Sequence, residues 1–255
     1  MTAAIPEDHG YILHGRRFRE NSRILEILCR DQGRIALMAR VSGKSGARNA
    51  ALLQPFRETL FRWHGRGELK NMQSFETVQG YTLGGEAGIC GLYCNELLLH
   101  LLPKGLPAPE VYQAYHATLQ RLSDGQPAGP ALRAFEWLLL MALGYAADLE
   151  EDSLTGQPLA VCSVYYFLPG QGVSARTPGK GSIEISSDAL AALRSGDFSA
   201  PEHQRIFRQL TAAALQQLLG SRKLKSRELI RNLSKYRREP RRLSENRSRS
   251  EGKPY

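Results

Sequence analysis

The chain has 255 residues, of which 42% are hydrophobic and 23% charged. At about 100–150 residues per domain, that is apolar material for one large core or two to three smaller ones, and it excludes both a largely disordered chain and a cross-linked mini-protein. The net charge of +9 is segregated: residues 1–80 hold 13 Lys/Arg against 8 Asp/Glu, residues 81–199 hold 6 against 12, and residues 200–255 hold 15 against 5.

Two basic ends thus bracket an acidic middle. A plain solvated surface accounts for the total charge but not for this segregation, whereas a phosphate-rich partner accounts for both. No apolar run approaches the roughly 18 residues of a membrane-spanning helix. The opening MTAAIPEDHG has no basic cluster followed by an apolar block, so no secretory signal and no membrane partner are expected, and the location is expected to be cytoplasmic. Cys29, Cys90, Cys94 and Cys162 form no CxxC pair and read as small buried hydrophobes.

Along the chain, residues 10–18, 22–29, 33–41, 57–64 and 69–78 read as strands. They are short runs rich in Ile, Leu and Val between polar turns, and RETLFRWH alternates Arg57, Thr59, Phe61 and Trp63 against Glu58, Leu60, Arg62 and His64. Five strands within about 70 residues suit a small closed barrel of the OB type. The connection from Val41 to Phe56 is long, glycine-bearing and basic, as loops that close over a bound strand are.

From about residue 87 the period becomes helical. Ile89, Leu92, Tyr93, Leu97 and Leu101 form one stripe ended by Pro103, and Val111, Tyr112, Tyr115 and Leu119 form the next. A loop over 123–130 leads to ALRAFEWLLLMALGY (131–145), apolar nearly all round, whose charges Arg133 and Glu136 are spaced to pair with each other. An acidic stretch, DLEED (148–152), opens a small hairpin excursion over about 148–186. Ser187 then caps a helix ended by Gly196, residues 203–220 form an amphipathic helix, and Ser226 caps a last one over 226–238. The expected organisation is α+β: a five-stranded OB-fold barrel in 1–80, a mainly helical domain in 81–235 with the hairpin inserted, and a disordered basic tail in 236–255.

Catalytic motifs fail on spacing. GKS at Gly43–Ser45 would need its earlier glycine at Met38, inside a strand, so no phosphate-binding loop is present. There is no HExxH, GxSxG or GxGxxG, and the six histidines have no metal spacing. The acids Asp148, Glu150, Glu151 and Asp152 could hold a divalent ion for phosphodiester cleavage, but four acids in five residues at a helix exit read better as a solvated loop. No catalytic residue, metal or cofactor is expected.

What the first 80 residues do carry is basic side chains interleaved with aromatic ones. Arg16, Arg17, Arg19, Arg23, Arg34, Lys44, Arg48, Arg57, Arg66 and Lys70, together with Arg40 and Arg62, stand among Tyr11, Phe18, Phe56, Phe61 and Trp63. Cations track backbone phosphates while rings stack on unpaired bases, so single-strand binding is favoured, with Phe18, Phe61 and Trp63 as stacking candidates. Lys223, Lys225 and Arg227 on the C-terminal helix make a second candidate surface. An RNA-binding or RNA-annealing protein on the same barrel is the alternative, since nothing in the sequence reads a 2′-hydroxyl.

The segment from Tyr11 to Arg34, YILHGRRFRENSRILEILCRDQGR, resembles the N-terminus of the bacterial RecO recombination mediators. ALLQPF (51–56), GRGELK (65–70), GLYCNELL (91–98), ALRAFEWLLLMALGY (131–145) and LKSRELIR (224–231) match positions of that family in order and spacing. The resemblance covers residues 10 to about 235. It implies an N-terminal OB-fold, a helical domain and a non-enzymatic role in DNA repair and recombination. Such a protein binds single- and double-stranded DNA, anneals complementary strands, and works with RecR to load RecA onto DNA coated by single-strand-binding protein.

Many members carry a cysteine pair after the "LGY" helix. DLEEDSLTGQPL offers none and Cys162 stands alone, so a hairpin without zinc is expected. The tail of single-strand-binding protein is acidic with apolar end residues, and it should dock where a cation borders an apolar groove. Arg133, beside Leu132 and Trp137, is the candidate, with an internal pair to Glu136 as the competing role.

Overall fold

The computed structural model describes residues 5–41, 49, 51–177 and 179–229. The first five strands are β1 (Glu7–Phe18), β2 (Ser22–Cys29), β3 (Gly33–Arg40), β4 (Arg57–His64) and β5 (Leu69–Gly80). They close into a barrel in the order β1-β2-β3-β5-β4, antiparallel except for the short β3–β5 seam, where Ala36, Leu37 and Met38 pair with Leu69, Lys70 and Asn71. β1 starts three residues earlier than its apolar run, because Glu7 to Tyr11 pair with Arg62 to Glu58 of β4.

In β4 the expected alternation holds, with Thr59, Phe61 and Trp63 buried. In β1 and β2 it breaks down into continuous burial, and the cause is a second core. Ile12, Leu25, Ile27 and Cys29 fill the barrel, while Tyr11, Leu13 and Leu28 pack outward into the helical half of the molecule. A strand buried on both faces reads as an unbroken apolar run.

The helices are α1 (Gly85–Leu101), α2 (Pro109–Ser123), α3 (Ala128–Ala142), α4 (Ser187–Ser195) and α5 (Gln204–Leu219), followed by a helical turn over 225–229. Tyr115, Phe135, Leu139, Phe207 and Leu210, all essentially inaccessible, lie at the centre of their core. α3 begins inside the stretch expected to be a loop. The cap of α4 is Ser186, one residue before the expected Ser187; its hydroxyl accepts the Ala189 N–H, and Gly196 ends the helix with φ 70°.

Barrel and helices are joined by specific polar contacts. A bulge between Ile12 and His14 frees the Leu13 carbonyl, which accepts from Asn95 Nδ2 at 3.0 Å, and Asn95 is held in turn by the Tyr115 hydroxyl at 2.5 Å. Tyr112 donates to Glu58 at 2.8 Å, and the Tyr11 hydroxyl meets His116 Nδ1 at 2.7 Å. Gly33 is indispensable to this junction: its φ is +66°, and a Cβ there would lie 1.8 Å from the Leu106 carbonyl oxygen.

The excursion is a three-stranded sheet rather than a simple hairpin. β6 (Val164–Leu168) lies between β7 (Gly172–Ser174) and β8 (Ile183–Ser186). Asp152 fastens the acidic stretch to it. Its carboxylate is buried and accepts from the Leu154 N–H at 2.9 Å, the Ser174 hydroxyl at 3.0 Å and the Ala175 N–H at 2.9 Å. Burial works to raise its pKa, but these donors outweigh it and hold the carboxyl below the ordinary aspartate value.

Candidate nucleic-acid interface

The β1–β2 hairpin concentrates positive charge at one end of the barrel. Arg17 stands directly opposite Arg23, Arg16 opposite Ile24, and Phe18 opposite Ser22, which is itself opposite Arg40 of β3. Because side chains alternate along a strand, Arg16 and Arg17 project from opposite faces, so the hairpin end is cationic on both sides. Arg19 occupies the turn with φ 55° and lays its guanidinium over the Phe18 ring, 5.3 Å from the centroid. Arg16, Arg17, Arg19 and Arg40 are exposed and Arg23 is half-buried. None of the five forms an ion pair among the described residues.

Other sequence candidates separate from this cluster. Arg34 is a structural clamp: Nε donates to the Leu102 carbonyl at 2.9 Å and Nη1 reaches Glu26 at 3.4 Å, beside a Lys104–Glu26 pair at 2.9 Å. That geometry spends its Nε and Nη1 donors on tying β3 to the segment after α1. Arg66 sits exposed in the β4–β5 turn. The parallel β3–β5 register runs that turn toward the start of β3, away from Arg40. Lys70 is half-buried and donates to the Gly67 carbonyl at 3.4 Å, and Arg57 is half-buried opposite Gly80. Lys44 and Arg48 lie outside the described residues, as does the tail.

The stacking candidates are corrected. Phe61 and Trp63 are 0% and 2% exposed inside the barrel, because they fall on the inward phase of β4, and neither ring is open to a base. Phe18 alone of the three reaches the surface, and only partly.

On the C-terminal segment, Lys223 and Lys225 are exposed. Arg227 is instead drawn inward, with Nη2 at 3.2 Å from the Tyr93 hydroxyl and its guanidinium over the Tyr93 ring. Ser226 does not cap its own helix. Glu96 of α1 does so, accepting the N–H groups of Lys225 at 2.9 Å and Ser226 at 3.0 Å and the Ser226 hydroxyl at 2.5 Å. Burial pushes the Glu96 pKa up, and these three donors bring it below the usual glutamate value.

Arg133 is buried, and its Nη2 bonds Glu136 at 2.6 Å. Glu136 also accepts from the Tyr93 hydroxyl at 2.7 Å and from Thr211, so it ties α1, α3 and α5 together, while Arg133 Nε has no hydrogen-bond partner among the described residues. The competing reading of Arg133, a pair with Glu136, is the one the geometry supplies, and Leu132 is buried in the core beside it.

Trp137 stands one helical turn further along α3. It lines a groove of about 480 Å³ with Ala117 and Arg121 of α2, Leu138 and Met141 of α3, and Leu193 of α4. Arg133 itself is not among the residues that line this groove; its guanidinium is turned to Glu136. Arg121 and Arg194 are the cations at the groove. Arg194 is engaged by the Leu149 carbonyl and by Glu150 at 3.1 Å, and Arg121 is exposed. No linear signal marks this site, because its walls come from segments some 80 residues apart.

The acids do not assemble a metal centre. Asp152 faces inward and Glu150 pairs with Arg194, and no group of three or more His, Cys, Asp or Glu side chains converges among the described residues. No helix among them is long and apolar enough to cross a membrane.

Comparison with known proteins agrees with the division seen in the fold. The family profile described as "Recombination protein O N terminal" matches residues 1–81, and that described as "Recombination protein O C terminal" matches residues 84–228. The chain is 39% identical over 224 residues to the DNA repair protein RecO of Cellvibrio japonicus, covering 86% of this chain and 94% of that protein. It is 38% identical over 224 residues to that of Pseudomonas paraeruginosa, covering 87% and 93%. It is 32% identical over 234 residues to that of an Azoarcus species, covering 90% and 96%. With a closed barrel, a helical half joined to it and both profiles matched in order, the chain belongs to the RecO family.

Proposed function

We propose that this protein is a cytoplasmic, non-enzymatic mediator of DNA repair and recombination. It binds single- and double-stranded DNA, anneals complementary strands, and acts with RecR to load RecA onto DNA coated by single-strand-binding protein. The observation that carries this reading is the arginine-rich end of the β1–β2 hairpin, with Arg16, Arg17, Arg19, Arg23 and Arg40 free of carboxylate partners among the described residues. Cations not neutralised by the protein itself are available to neutralise phosphates, and binding then releases counterions from the DNA. Bringing two polyanionic strands together requires that neutralisation and neither a nucleophile nor a nucleotide. Lys223 and Lys225 supply a second cationic site on the helical half, positioned by Glu96.

For the acidic, apolar-ended tail of single-strand-binding protein, support lies with the groove lined by Trp137, Leu138 and Met141 and bordered by Arg121, rather than with the buried Arg133. The test is annealing of complementary oligonucleotides coated with single-strand-binding protein, without nucleotide, at two salt concentrations. Salt-sensitive acceleration is expected. Binding without acceleration refutes the mediator reading and makes RNA the next ligand to try.

A further inference from the structure

The stretch from residue 5 to residue 81 contains seven aromatic side chains, and their placement decides what the barrel touches. Phe61 and Trp63 are buried inside the barrel, and the half-buried Phe75 packs against them. Tyr11, Tyr81 and Phe56 pack into the helical core. Residues 42–48 and 50 of the connection, outside the described residues, include no aromatic residue. Phe18 is left, half-buried, with the Arg19 guanidinium over its ring. Base-stacking proteins present successive open rings along the strand they bind. At its arginine-rich end the barrel presents one ring among the described residues, already covered by a cation.

The cations, by contrast, are arranged as an anion would require. Arg17 and Arg23 are directly opposed across an antiparallel pair, an arrangement of like charges that destabilises the hairpin unless an anion lies between them. The Arg23 guanidinium is also packed close over Gly15, where a Cβ would come within 3.2 Å of Nη2, so it is held near the Arg17 strand rather than splayed away.

Resting on the proposed DNA-binding role, we infer that the barrel grips the phosphodiester backbone, with Arg17 and Arg23 sharing a phosphate, and leaves the bases uncovered. Affinity then depends on phosphates and hardly at all on bases. The arrangement also suits annealing, because Watson–Crick edges stay free while the charge that keeps two strands apart is neutralised.

The test uses the full chain and two labelled oligomers of about 20 nucleotides. One is oligo-dT; the other has the same phosphates on abasic tetrahydrofuran sugars. Dissociation constants are measured by fluorescence anisotropy across a salt series. The expected result is agreement within about threefold and a common salt slope. A loss of more than about tenfold on the abasic oligomer, with oligo-dT still bound, overturns the backbone-only mode and leaves DNA binding standing. Failure to bind either oligomer overturns the DNA-binding reading and this inference with it. In the double variant Arg17→Gln, Arg23→Gln the salt slope for single strands should fall by roughly 0.7, the loss of the one phosphate contact the two arginines share. An unchanged slope removes the phosphate from between these two arginines.

Discussion

Replacing Asp152 by Asn tests what fastens the acidic stretch to the small sheet. One carboxylate oxygen accepts the Leu154 N–H, and the other accepts both the Ser174 hydroxyl and the Ala175 N–H. An amide of the same shape must place an NH2 group at one of those positions. The less costly orientation keeps Oδ1 on the Ser174 and Ala175 side and leaves the Leu154 N–H facing a donor. An unsatisfied N–H costs about 1–3 kcal/mol, and the two surviving bonds each lose about 1 kcal/mol when the acceptor is no longer charged. The sum is about 3–5 kcal/mol, which for a chain of this size lowers the melting temperature by about 6–20 °C.

The pH dependence has a definite sign. The folded carboxyl is held below its unfolded value, so its contribution is complete above about pH 4 and disappears as pH falls through the folded pKa. Thermal melting of wild type and Asp152→Asn should therefore differ most at pH 7 and converge in acid. Equal melting temperatures at pH 7, or a difference that persists unchanged into acid, would refute this reasoning. Magnesium-dependent DNA cleavage lost on this substitution would instead revive a nuclease role that the inward-facing carboxylate argues against.

Arg133→Ala should destabilise the helical half by about 3–5 kcal/mol, read as a lower denaturation midpoint, because it leaves Glu136 charged and buried without its cation; intact stability with loss of an acidic-tail peptide would return Arg133 to a docking role. Glu96→Ala removes the acceptor for two N–H groups at the start of the 225–229 turn, at about 1–2 kcal/mol, so amide exchange at Lys225 and Ser226 should accelerate about 5- to 30-fold while the barrel is unaffected. Arg34→Ala should lower stability and leave the salt slope of DNA binding unchanged, since its guanidinium is committed to Leu102 and Glu26; a shallower slope would place it on the DNA.

Local signals carried well from sequence to structure. The Thr59–Phe61–Trp63 alternation, the Pro109 start of α2, the Gly196 stop and the helical stripe through Tyr93 and Leu97 each depend on neighbours within a few residues. Assignments that depended on distant partners did not carry. Trp63 looks like a stacking residue until the barrel closes around it. Arg133 and Trp137 are four residues apart on one helix, yet one serves a buried ion-pair network and the other lines a groove. Ser226 carries the residue type of a cap, but the cap is Glu96, 130 residues earlier. The arginines of the β1–β2 hairpin were legible because their clustering is itself local: they flank one turn.

The most direct test of the central claim is annealing by a variant with Arg16, Arg17 and Arg19 replaced by Gln, compared with one in which Lys223 and Lys225 are replaced. If the hairpin end is the principal DNA surface, the first variant melts at or above the wild-type temperature, binds DNA with a shallower salt slope and anneals slowly, while the second retains most of the annealing rate. Full annealing by the hairpin variant, with an unchanged salt slope, would contradict it and move the DNA to another face of the molecule.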